Sequence, residues 1–340
     1  MKKIKKIMAF LLVLASLSAC TGSIPSNSTG ESSRERTQEA TTEEKRSVSV
    51  ETYKNTFTFD KIPERVVSLS FSETQLLVAL GLGDRIVGIA TAETGVQDCL
   101  PEYQKELSKL KVISKDTPSM EVLLESNPDF VVGTVYSFTE HGVAPAEDFV
   151  KQGIPYYALR GTYVENANIQ DTYKDIENLA KIFHVEERGE KLIQSLKERE
   201  AKYMESAPKD RSTKVFVYNS GDEKQAMTVG GNCLDAKLLQ LAGGETIFKD
   251  IEKRYGSVSW EEVSIRNPEL IVIYDYNDGV TRGTLEEKIK EIKEHPAMAD
   301  VDAVKNNRFV SVRLIEVFPG LQLFDAVEKI QQGIIQARGE

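Results

Sequence analysis

The chain is poor in the residues that build covalent or metal-held scaffolds. Its 340 residues include three cysteines, three histidines and one tryptophan, too few for a disulfide framework or a Cys/His metal cage. Long apolar runs are scarce as well. Only the extreme N-terminus has one, which excludes a chain threaded repeatedly through a bilayer. Positive charge is in deficit, 43 basic against 53 acidic residues for a net −10, so the surface repels phosphate backbones and nucleic acid is not an expected partner. The nucleophile elbow Gly-x-Ser-x-Gly, the phosphate-binding P-loop and the His-Glu-x-x-His helix are all missing, and Tyr255-Gly256-Ser257 lacks the second glycine, so an enzyme is not expected. Nothing implies a cofactor. What is present, 40% hydrophobic and 28% charged residues, is the composition of a globular chain long enough for two domains.

The N-terminus reads as an address. Lys2, Lys3, Lys5 and Lys6 precede an apolar stretch from Ile7 to Leu17 that is too short to span a bilayer. It ends in Leu17-Ser18-Ala19-Cys20, which resembles a bacterial lipobox. The resemblance implies cleavage before Cys20, lipidation of that cysteine and anchoring to the outer face of a cell membrane. The next 26 residues carry five Ser, five Thr and five Glu and almost nothing apolar. They cannot bury enough surface to fold, and as a flexible coil they reach ~25–30 Å. The expected division is a signal over 1–19, lipidated Cys20 and its polar tether over 20–46, an N-terminal lobe over 47–167, a connecting helical segment over 168–208 and a C-terminal lobe over 209–340.

The body alternates strands and helices. Val48 to Phe59 suggests a hairpin. Strand patterns follow at 65–70, 86–90, 112–113, 130–132 and 156–159, with helices at 73–80, 119–125 and 146–151 between them. The second half repeats the scheme with strands at 214–218, 271–273 and 309–312 and helices at 234–241 and 324–335. Such alternation predicts an α/β fold of two Rossmann-like lobes, each with a mainly parallel sheet covered on both faces. An internal match supports duplication. Ser119-Met120-Glu121 leads to Asn127-Pro128-Asp129 and a strand; 140 residues later Ser259-Trp260-Glu261 leads to Asn267-Pro268-Glu269 and a strand. A second echo sets Leu76-Leu77 and Gly81 against Leu238-Leu239 and Gly243. Between the lobes, helical spacing from Ile169 to Phe183 and from Val185 to Ala207 predicts a stiff spine that crosses once.

Lipobox, tether, lobe, spine and second lobe together resemble the solute-binding proteins of ABC importers, in the subgroup with a single connecting helix that serves iron–siderophore complexes, haem and cobalamin. The resemblance covers about Val48 to Arg338. It is carried by Arg65-Val66-Val67-Ser68-Leu69, Ala79-Leu80-Gly81-Leu82-Gly83-Asp84, Asn127-Pro128-Asp129, Gly153-Ile154-Pro155, Ala242-Gly243-Gly244-Glu245 and Val258-Ser259-Trp260-Glu261. Phe71 departs from it, standing where the family usually has proline. The resemblance implies an extracellular, lipid-anchored monomer that captures a ferric–siderophore complex, or cobalamin or haem, and delivers it to an ABC permease dimer. It also implies one glutamate per lobe for docking, here Glu121 and Glu261. Ser119 and Ser259 read as N-caps, and Ser259 with Glu262 fits a capping box.

Ligands of open α/β sheets bind beyond the carboxyl ends of strands. The candidates are therefore Ser70, Phe71, Thr91, Tyr136, Arg160 and Tyr163 in the first lobe and Tyr218, Asn219, Tyr274, Tyr276 and Arg313 in the second. Aromatic faces suit a macrocycle, and Arg160 and Arg313 suit an anion. A free metal-ion receptor would need convergent ligands from His141, His184 or His295. Cys99 and Cys233 are either free or joined across the lobes.

Overall fold

The computed structural model describes residues 46–91, 94–276 and 283–339. Cys20, the signal and all but the last residue of the tether lie outside the described residues. A hairpin comes first, β1 (Val48–Thr52) and β2 (Asn55–Phe59), with Thr52 facing Asn55 across the turn. Then follow β3 (Val66–Ser68), α1 (Phe71–Ala79), β4 (Ile86–Ala90), α2 (Pro101–Leu107), β5 (Val112–Ser114), α3 (Met120–Glu125), β6 (Phe130–Gly133), α4 (Ala146–Lys151) and β7 (Tyr156–Ala158). The five strands after the hairpin form one parallel sheet in the order β5-β4-β3-β6-β7. The order reverses beside β3, and a crevice opens at such a reversal.

The spine is two helices, α5 (Ile169–Ile182) and α6 (Glu186–Ser206), divided where the helical spacing divides. His184 breaks them apart by adopting the left-handed φ of +54°. α5 belongs to the first lobe. α6 makes the crossing: Arg188 donates to the Leu80 carbonyl at 3.0 Å, while farther along Arg199 pairs with Asp325 at 2.5 Å and Tyr203 donates to Glu328 at 2.8 Å. Its 21 residues span ~32 Å.

The second lobe contains β8 (Thr213–Tyr218), β9 (Ser220–Gly221), β10 (Gln225–Val229), α7 (Leu234–Leu241), β11 (Gly244–Thr246), β12 (Tyr255–Ser259), α8 (Trp260–Arg266), β13 (Leu270–Asp275), α9 (Leu285–Glu294), α10 (Asp302–Lys305), β14 (Phe309–Arg313) and α11 (Leu323–Arg338). Its parallel sheet runs β11-β8-β13-β14, and β12-β10-β9 form a separate antiparallel sheet. That small sheet, built from short strands rich in polar residues and glycine, carries no alternation strong enough to announce it.

The internal match is geometrical as well as textual. Ser119 and Ser259 cap α3 and α8 by accepting the N–H of Val122 and Glu262 at 3.3 and 3.2 Å. Asn127 and Asn267 then turn the chain with φ of +46° and +45°. Asp129 accepts the N–H groups of Glu64 and Arg65, and Glu269 accepts that of Lys214. Each acid thus pins its own strand, β6 or β13, to the first strand of its parallel sheet, β3 or β8. The second echo holds too: Gly81 after α1 and Gly243 after α7 both take positive φ, +73° and +92°, the helix-ending conformation glycine adopts without a Cβ penalty. Buried apolar side chains of both lobes run continuously past α6, whereas the far face of each sheet has its own core.

Candidate ligand-binding site

In the first lobe, Ser70 caps α1, accepting the Ser72 N–H and donating to Glu73. The helix therefore starts at Phe71, two residues before the periodicity suggests, and that start corrects the reading of Phe71. As the first helical residue it turns into the core and is 2% exposed, so it presents nothing to a ligand. Thr91 follows β4, tied by its N–H to the Ser114 carbonyl at 3.1 Å. Tyr136 follows β6 and is 53% exposed. After β7, Arg160 points its Nε at Asp171, 3.3 Å away, and its backbone N–H at Asp175, 2.9 Å away. The Tyr163 ring stands edge-on to Tyr53 at 5.5 Å. Asp175 also accepts the Tyr157 hydroxyl at 2.8 Å, and burial pushes its pKa up to about 8.

In the second lobe, side-chain parity along β8 decides the outcome. Phe216 and Tyr218 share one face, the far one, where Tyr218 packs on Trp260 at 5.5 Å and donates to Glu291 at 2.8 Å. At 1% exposure Tyr218 is a core residue, which corrects its assignment to the cleft. Asn219, Tyr274 and Tyr276 lie at the strand ends but are buried and bonded within the protein: the Tyr276 hydroxyl donates to Asn219 and that of Tyr274 to Asp235, each at 2.6 Å. Lys288 lies behind them, buried, donating to the carbonyls of Asn219 and Tyr274 and sitting 4.6 Å from the Tyr276 ring centre. These side chains brace the strand ends instead of offering open hydroxyls. Arg313 is clamped by fully buried Glu316, which also takes Lys329 at 2.7 Å.

The structure adds a group that strand-end reasoning passed over. Asp235, in the first turn of α7, accepts the Arg254 Nε at 3.1 Å, and the Arg254 guanidinium lies 5.1 Å from the Tyr255 ring centre. Nothing periodic marks Arg254; its partner stands 19 residues earlier on another element.

The lobes meet directly below these groups. Ser72 donates to the Pro319 carbonyl at 2.9 Å, Gln75 to Gln322 at 2.8 Å and Gln322 to the Asp98 carbonyl at 3.0 Å. Arg313 stands 4.0 Å from the Asp98 carboxylate. Gly161 is required there: a Cβ would come within 2.6 Å of Pro319 and 3.2 Å of Leu234. Two open concavities of about 430 and 440 Å³ lie elsewhere, along the spine helices. Cys99 and Cys233 are free and buried, which corrects the bridged alternative. Each thiol is turned to a carbonyl of its own lobe, Gly95 at 3.7 Å and Gly230 at 3.4 Å, and burial pushes both up to about 12.

Elsewhere, His141 and His184 are exposed and His295 stacks on Trp260 at 4.9 Å. Among the described residues, no three or more His, Cys, Asp or Glu side chains are grouped to hold a metal ion, and no helix is long and apolar enough to cross a membrane. The capping box expected at Ser259 is half formed, because the Glu262 carboxylate turns to Arg266 at 2.7 Å. Glu121 and Glu261 are exposed, and neither has a hydrogen-bond or ion-pair partner among the described residues.

Comparison with known proteins decides the family, because a profile described as "Periplasmic binding protein" matches residues 66–313. The chain belongs to this periplasmic binding protein family. It is 25% identical over 281 residues to an uncharacterised ABC transporter substrate-binding lipoprotein, YvrC, of Bacillus subtilis, covering 82% of each chain. It is 27% identical over 215 residues to the vitamin B12-binding protein of Vibrio parahaemolyticus, covering 61% of this chain and 70% of that one. A periplasmic binding protein of Veillonella parvula has the same fold, with a TM-score of 0.76 at 28% identity, covering 85% of this chain and 98% of that one. Members of this family bind solutes and deliver them to ABC permeases; these relatives are binding proteins rather than enzymes. The two-lobed α/β fold with one connecting helix agrees with that membership.

Proposed function

We propose that the chain captures a metal-bearing chelate or macrocycle of low net charge between its lobes and hands it to a two-subunit ABC permease from a lipid anchor at Cys20. The observation that carries this reading is electrostatic. Both arginines at the strand ends, and Arg254 before β12, are held by acids of the protein itself: Arg160 by Asp171, Arg313 by Glu316 and Arg254 by Asp235. A chelate carrying several carboxylates would have to compete with those acids, whereas an uncharged ligand needs only donors and ring faces. Cobalamin is accordingly the first ligand to test, as the name of the Vibrio relative suggests. A ferric hydroxamate comes next within the ferric–siderophore class, and haem after it. Ser70, Thr91, Tyr136, Arg160 and Tyr163 are the contacts expected from the first lobe.

Calorimetric titration of the protein with cyanocobalamin, a ferric trihydroxamate and haem should give one-to-one binding to at least one of them; no heat from any would end this reading. Trp260 is unsuitable as a reporter because it is fully buried in the far core. Delivery has a separate test. Glu121 and Glu261, without partners among the described residues and in equivalent places, are the expected contacts for basic residues on the two permease subunits. Glu121→Arg with Glu261→Arg should abolish uptake in cells while ligand affinity and melting temperature stay put. Normal transport by that double variant would remove the docking role.

A further inference from the structure

Arg254 differs from Arg160 and Arg313. Its Nε is bound to Asp235, but its Nη2 is buried and has no acceptor. It is the one buried side-chain nitrogen without a partner among the described residues. An orphaned donor of that kind destabilises a fold, and a charged one is tolerated where something else fills it.

The surroundings fix where that donor is. Asp235 follows Leu234, the α7 residue that faces Gly161 of the first lobe. The Asp235 carboxylate is held from its other side by the Tyr274 hydroxyl at the end of β13. The backbone of Arg254 is tied in turn, its carbonyl accepting the Gly230 N–H at 2.9 Å. A buried ion pair rarely stabilises a fold better than apolar residues of the same volume. What this pair achieves is orientation: Tyr274 fixes Asp235, Asp235 fixes the guanidinium, and the Tyr255 ring lies against its face.

We propose that Arg254 is the hydrogen-bond donor that reads the ligand from the C-terminal lobe, taking a neutral oxygen acceptor such as an amide or hydroxamate carbonyl, with Asp235 and Tyr274 as positioning residues. Neutrality follows from Asp235. With that carboxylate 3.1 Å from Nε, an incoming carboxylate meets a like charge across the guanidinium, whereas a carbonyl oxygen meets only an oriented donor. The inference rests on the binding function proposed above and adds the residue that selects within the ligand class.

The test uses the whole protein and two matched probes, cyanocobalamin and a derivative with one side-chain amide hydrolysed to a carboxylate, with a ferric trihydroxamate as a third. Wild type should bind the amide form at least tenfold more tightly than its carboxylate counterpart. Arg254→Lys keeps a charge for Asp235 but loses the second nitrogen; it should weaken binding of the amide form about tenfold or more and flatten that preference. If Arg254→Lys does not fold, Arg254→Gln with Asp235→Asn replaces the ion pair by a neutral one and is read in its place. Unchanged affinity and preference in the variant overturns the inference while leaving the function standing. Failure of wild type to bind any probe overturns both.

Discussion

The two lobes follow one backbone plan and hold their most deeply buried acids in opposite ways. In the N-terminal lobe, Glu73 and Asp175 are fully buried and are bonded to neutral groups: the Ser70 hydroxyl for one, the Arg160 backbone N–H and the Tyr157 hydroxyl for the other. Burial raises both, to about 7 and about 8. In the C-terminal lobe, Asp235 and Glu316 are just as deep, but Asp235 is paired with Arg254 and Glu316 with Arg313 and Lys329. A shared fold therefore does not dictate shared electrostatics. One lobe keeps carboxyls whose charge is suppressed near neutral pH, and the other keeps compensated ion pairs.

The contrast is broken most forcefully by stripping the cations from a C-terminal acid. Arg313→Met with Lys329→Met leaves Glu316 buried and alone, which should cost on the order of 3–5 kcal/mol. Urea unfolding at pH 7.5 should show a much lower midpoint for the double variant, and adding Glu316→Gln should restore most of it. A wild-type midpoint in the double variant would mean that Glu316 tolerates isolation as Glu73 does, and the distinction between the lobes would collapse.

Much of this architecture was legible from the chain because its signals are local. β4, α4 and α7 occupy the residues that periodicity assigned them, β4 as an apolar run and the two helices stopped by Gly153 and Gly243. The misses have physical causes. α1 begins early because Ser70 caps it, and that cap buries Phe71. Tyr218 was placed on the wrong face because a strand-end residue can point either way, and the parity that sends it beside Phe216 is visible only once the core partners are known. Arg254 and Asp235 come together from elements without a shared pattern, so their pairing had no sequence signal.

The finer contrast lies in pH dependence, and Glu73 isolates it. Its pKa is raised by burial, in the folded state, to about 7, above an unfolded value of roughly 4.3. A carboxyl of that kind takes up a proton on folding. Its favourable contribution is complete below the unfolded pKa and is lost as pH rises toward and through 7, where the chain must bury a charge with no cation beside it. Complete loss corresponds to on the order of 3 kcal/mol. Glu73→Gln cannot ionise and should escape this part of the loss across that window. Denaturant unfolding at pH 4.5 and at pH 8 should therefore show wild type falling away from the variant at the higher pH, with the two closest at the lower one. Asp175 moves stability in the same direction in both proteins, so the difference between them reports Glu73 alone. Parallel behaviour of the two at both pH values would show that folded Glu73 titrates as an ordinary carboxyl, its burial offset.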